Sequence, residues 1–154
     1  MEMKRIASWL SLRSFLAFLA NRRNFAEMTR AERGRNGEKA AELHLKKKGF
    51  RLIQRNWRQG RDEIDLICVE RETLVFVEVR TREENALVSG YHSVGSKKKR
   101  ALLRVCKAYL RNHRNHRKHS LHYRFDLVEV RWNMRRSLVC LHYENVALFP
   151  DRSH

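Results

Sequence analysis

The sequence predicts an α/β domain, a mixed β-sheet of about five strands flanked by two main helices. Two observations predict it. The apolar period switches along the chain in the order helix, three strands, helix, two strands. Residues 73–79 are apolar on both faces until Glu78, the pattern of a central, covered strand. A chain of 154 residues holds one such domain and is short for two. From about Arg30 it carries no linker or repeat, and its one proline is Pro150.

Residues 1–30 read as an extension, 31–148 as the domain and 149–154 as a tail. Trp9, Leu12, Leu16 and Leu19 recur at helical spacing, which predicts an amphipathic helix. Arg13 interrupts its apolar run, and Asn21-Arg22-Arg23 follows without a small-residue cleavage site, so the segment reads neither as a signal peptide nor as a span. Met28 is an alternative start of translation. In the domain, 36–48 is a helix ended by Gly49, and 51–57, 63–70 and 73–82 are strands, the last two joined by a turn at Arg71-Glu72. A loop follows with Gly90 and Gly95. Ser96 caps a second helix to about residue 112, with Leu102, Val105, Cys106 and Tyr109 as its buried stripe. Residues 122–131 and 137–144 complete the sheet.

Thirty-four Lys and Arg face seventeen Asp and Glu, a net charge of +17. A charge of that size favours a polyanionic partner. Nucleic acid fits, because each neutralised phosphate releases a counterion; an anionic membrane surface is the rival. Lys97, Lys98, Lys99 and Arg100 open the second helix, against its dipole, and Arg104 and Lys107 continue the strip. These six are the expected nucleic-acid contacts, mainly to phosphate. Cys68, Cys106 and Cys140 form no CxxC pair, which argues against a zinc ribbon or a disulfide framework and for a reducing, cytoplasmic setting. His113, His116, His119 and His122 recur every third residue among basic neighbours and read as solvated rather than as a metal site. No Gly-rich phosphate loop or GxSxG elbow occurs.

Glu78 lies in an apolar strand, where an unpaired carboxylate either neutralises or needs a counter-charge. Asp65 interrupts the preceding strand, sharing a face with Ile67 and Val69. If the two strands form a hairpin, the carboxylates converge. Two oxygen donors suit Mg2+ or Mn2+, with water and phosphate as further ligands. Glu38, beside the core stripe of the first helix after Gly34 and Gly37, is a third candidate ligand. Arg80 shares the Glu78 face. It cannot act as a base, and it can hold a phosphate or pair with either acid. The structural alternatives are that Glu78 pairs with Arg80 or another Arg, that Asp65 is a strand-end acid bound to backbone, and that Glu38 is a first-turn acid favoured by the helix dipole.

Gly34-Arg35-Asn36-Gly37-Glu38, Asp62-Glu63-Ile64-Asp65-Leu66-Ile67 and Val75-Phe76-Val77-Glu78-Val79-Arg80, with Ser93-Val94, Lys97 and Arg124-Phe125-Asp126, resemble the YraN-like family of uncharacterised bacterial proteins over roughly residues 33–148. That family is similar to the restriction-endonuclease-like superfamily, including archaeal Holliday-junction resolvases. The resemblance implies a restriction-endonuclease-like core. It also implies Mg2+-dependent hydrolysis of DNA phosphodiesters, branched DNA among them. Asp65 and Glu78 fill the superfamily's acidic positions, and Glu38 matches a helical acid near the metal. Arg80 stands where the superfamily prefers lysine, and Asp62 replaces a glycine. Two other functions stay open, a catalytically silent nucleic-acid-binding module and an adaptor that docks on a membrane or partner through residues 1–25. A homodimer stays open as well.

Overall fold

The computed structural model describes residues 25–85, 94–113, 122–132 and 138–148. Helix α1 (Arg30–Lys47) leads into strands β1 (Arg51–Gln59), β2 (Asp62–Glu70) and β3 (Thr73–Glu83). Helix α2 (Ser96–Asn112) precedes β4 (His122–Trp132) and β5 (Leu138–Tyr143). The five strands lie in sequence order in one sheet. β3 and β4 are parallel, and the other neighbours are antiparallel. A parallel pair needs a crossover, and α2 lies within it.

The two helices cover opposite faces. Ala40, Ala41 and Leu45 of α1 pack with Leu66, Cys68, Val75, Val77, Val128 and Val130. Leu102, Val105, Cys106 and Tyr109 of α2 pack with Ile64, Ile67, Phe76 and Leu127. Strand residues therefore alternate between two cores, as expected of a sheet covered on both sides. Tyr109 meets Trp57 and Phe76 edge-on at centroid distances of 5.2 and 5.7 Å.

Three local expectations are corrected. Helix α1 starts at Arg30 rather than at 36, because Thr29 and Glu32 close a capping box ahead of Gly34 and Gly37. Ser96 does not cap α2; Gly95 is the N-cap, without a side-chain hydrogen bond. The alternation in β2 breaks at Asp65, since Ile64 joins the α2-side core whereas Leu66 and Cys68 join the α1-side core. A short 3-10 helix at Phe25–Glu27, which the sequence pattern did not announce, stacks Phe25 on Trp132 at 5.9 Å. The amphipathic helix expected before it, the tail 149–154, His116 and His119 lie outside the described residues. Among the described residues no helix is long and apolar enough to cross a membrane.

Candidate metal and nucleic-acid site

The site begins where β2 leaves β3. Their pairing runs from Glu70↔Thr73 to Leu66↔Val77 and stops there. One residue further, the Asp65 carboxylate takes the place of a strand partner, as the Val79 N–H donates to its Oδ2 at 2.7 Å. Glu78 stands between Val77 and Val79, on the face that α2 covers. The β2–β3 hairpin puts Asp65 within electrostatic reach of Glu78, although the regular alternation behind that expectation breaks at Asp65.

Glu78 is 3% exposed. Its Oε1 lies 3.0 Å from Lys98 Nζ and 3.4 Å from Arg80 Nε. The Arg80 contact is an ion pair without hydrogen-bond geometry, so Arg80 Nε stays unsatisfied, and Glu78 Oε2 is buried with no hydrogen-bond partner. Burial raises the Glu78 carboxyl above its ordinary value against the pull of Lys98 and Arg80. Asp65 is pushed up to about 7, first by burial and then by the Glu78 charge, while the Val79 N–H opposes the rise. The two acids thus have cations beside them in Lys98 and Arg80, while one Glu78 oxygen makes no hydrogen bond.

A cleft of about 820 Å³ opens on this pair, between the start of α1 and the C-terminal part of β3. Gly37 seats the helix there: a Cβ would collide with Thr81 Oγ1. Glu38 consequently reaches the cleft wall, with its Oε2 accepting a hydrogen bond from Asn56 Nδ2 at 3.0 Å. Asn56 adopts φ +48°, between the pairs Arg55↔Leu66 and Trp57↔Ile64 and hence opposite Asp65. The three acids do not close into a three-ligand group. Among the described residues no three His, Cys, Asp or Glu side chains are placed to hold a metal ion together. The structure joins Asp65 with Glu78 and leaves Glu38 at the cleft wall, engaged by Asn56.

The basic strip divides. Lys97, Lys99, Arg100 and Lys107 are exposed at the surface of α2. Lys98 turns inward to Glu78. Arg104 is held by Asp62 through two bonds of 2.9 and 3.1 Å. Sequence reasoning missed Arg30, Arg33 and Trp132, which wall the far end of the cleft. The Arg33 guanidinium lies over the Trp132 ring at 5.7 Å. Arg30 and Arg33 were readable as neighbours on one helix face once the helix is begun at Thr29; Trp132 lines up beside Glu83 only through the parallel register.

Residues 37–130 match the uncharacterised protein family UPF0102. A UPF0102 protein of Lawsonia intracellularis is 37% identical over 124 residues, which is 80% of this chain and 91% of that protein. One of Carboxydothermus hydrogenoformans is 36% identical over 122 residues, 79% of this chain and 100% of the other. Among solved structures, Pyrococcus furiosus SfsA in complex with Ca2+ aligns with a TM-score of 0.38 and 15% identity, over 74% of this chain and 63% of that one. So remote a likeness bears on neither site nor function. The family match runs from the end of α1 that carries Glu38 through Asp65 and Glu78 to β4, and the chain belongs to the uncharacterised protein family UPF0102.

Proposed function

We propose that this chain is a nucleic-acid-binding, Mg2+- or Mn2+-dependent endonuclease that hydrolyses DNA phosphodiesters. One observation carries the reading: the buried Glu78 Oε2 without a partner, beside an Asp65 carboxyl pushed up to about 7, at the floor of an open cleft. Two carboxylates with room for water and phosphate oxygens suit a hard divalent ion. Asp65 and Glu78 would hold it, and Glu38, on the wall of the same cleft, would orient its water. The ion's contribution is Lewis-acid polarisation and a water of lowered pKa. Arg80, a permanent cation on the Glu78 face, holds non-bridging phosphate oxygens and stabilises the charge that builds there. Lys97, Lys99, Arg100 and Lys107 grip flanking phosphates, so binding is salt-dependent and weakly sequence-specific.

Incubation with branched, single-stranded and duplex DNA plus Mg2+ tests the reading. The wild type cuts and Asp65→Ala does not. Equal cutting by both, or by neither, contradicts it. A second reading, a catalytically silent binding module, is favoured by the engagement of Arg80 with Glu78 where the superfamily has lysine. A large gain in cutting by Arg80→Lys supports that reading.

A further inference from the structure

Lys98 stands in two sites at once. Its ammonium is 3.0 Å from Glu78 Oε1, closer than Arg80 Nε at 3.4 Å, yet its side chain is 39% exposed whereas that of Glu78 is 4% exposed. It springs from the first turn of α2, where its neighbours Lys97, Lys99 and Arg100 project into solvent. Arg80 is anchored differently. It grows from the sheet itself, with its Nε buried.

We infer that Lys98 is a displaceable counter-cation. It neutralises Glu78 in the resting chain and is drawn off by a nucleic-acid phosphate, so that divalent-metal loading and nucleic-acid binding reinforce each other. The inference rests on the metal-site reading above and adds to it a coupling between two ligands.

Charge bookkeeping supplies the reason. With both carboxylates ionised, Asp65 and Glu78 are already balanced by Lys98 and Arg80. A divalent ion entering that set leaves a buried excess of two positive charges, with little solvent to screen it. If Lys98 moves to a flanking phosphate while the scissile phosphate enters, the two carboxylates, the divalent ion, Arg80 and that phosphate sum to neutrality. Neither ligand alone reaches that balance. The stem of Lys98 is flexible and its ammonium makes point-charge contacts, so the exchange needs no backbone movement. Linkage makes the effect reciprocal: whatever factor DNA adds to metal affinity, metal adds to DNA affinity.

The test is Mn2+ binding to the full chain, followed by loss of the free-ion electron paramagnetic resonance signal. Wild type, Lys98→Met, Lys98→Arg and Asp65→Ala are compared, with and without a short duplex whose own Mn2+ uptake is subtracted. Without DNA, Lys98→Met binds Mn2+ about tenfold tighter than wild type, a usual size for coupling between sites, and Lys98→Arg does not. With DNA, wild-type affinity rises by a similar factor while that of Lys98→Met rises much less. Unchanged or weaker Mn2+ binding by Lys98→Met, beside an Asp65-dependent site in the wild type, overturns the counter-cation role and leaves the metal site standing. Absence of any Asp65-dependent Mn2+ binding in every variant overturns the metal site itself, and the inference with it.

Discussion

Two buried acidic groups lie in one sheet, and they are treated in opposite ways. Asp126, on the α1 side, is 0% exposed and saturated. Arg124 reaches it with two bonds of 2.9 and 3.1 Å, His142 Nε2 lies at 2.9 Å, and the Asn145 N–H donates at 2.9 Å. Glu70 in turn fixes Arg124 at 2.8 Å. Burial alone would push the Asp126 carboxyl up, but His142, Arg124 and the Asn145 N–H outweigh it and hold the group below its ordinary value. Asp65 and Glu78, which line the cleft beside the start of α1, are raised instead, with an oxygen of Glu78 orphaned. The difference teaches that burial of a carboxylate does not by itself mark a functional site. What separates the two groups is hydrogen bonding, complete around Asp126 and missing at Glu78 Oε2.

That contrast can be broken by mutation. Asp126→Asn should cost the most, about 3 kcal/mol, because an amide has one acceptor oxygen where the carboxylate accepts from Arg124 and the Asn145 N–H on one oxygen and from Arg124, with His142 alongside, on the other, so buried donors lose their partner. Urea unfolding measures it, and a loss below about 1 kcal/mol would show that the network carries little of the fold. Gly37→Ala should follow. Alanine normally favours a helix, but here its methyl meets Thr81 Oγ1, so a loss of about 1–3 kcal/mol is expected. Thr81→Ala in the same chain should restore most of it; additive losses would mean that the contact is not the cause.

The opposite sign is expected at the other pair. Without metal at pH 8, Asp65→Asn should stabilise the chain by about 1–2 kcal/mol, because it removes a charge that burial and Glu78 both disfavour. A loss of stability comparable to that of Asp126→Asn would erase the distinction between the two groups.

Acidification sharpens the comparison further. Because the folded Asp126 titrates below its ordinary value of 3.8, its contribution is present above that pH and fades as the pH falls through the lower folded value. Wild type should therefore lose stability more steeply than Asp126→Asn on going below pH 4, as urea midpoints would show; parallel curves would contradict the assignment. The smallest effect on the fold is expected at the surface. Lys99→Ala and Arg100→Ala should leave the melting temperature unchanged while lowering the salt slope of DNA binding by about one each. An unchanged slope would move the nucleic-acid surface elsewhere.

Much of this arrangement was legible in the chain itself. Alternation in Leu74–Arg80 located Glu78, and the period of Leu102, Val105, Cys106 and Tyr109 named the buried stripe of α2. The interruption at Asp65 pointed to its partner. What stayed hidden depends on contacts distant in sequence. Gly34 and Gly37 read as allowing a close approach of the helix start, but nothing local shows that Thr81 is the group that excludes a Cβ at Gly37. Lys98 was one of four adjacent cations, and only the placement of α2 over β3 singles it out. Asp126 was visible as part of a motif, but its saturation depends on His142 and the backbone of Asn145, which β5 brings back across the sheet.

Calorimetric titration of Mn2+ into the intact wild type, Asp65→Asn and Glu78→Gln at constant pH tests the central claim most directly. One tight site per wild-type chain, lost in both variants, is the predicted result. Equal Mn2+ binding by all three proteins would contradict it.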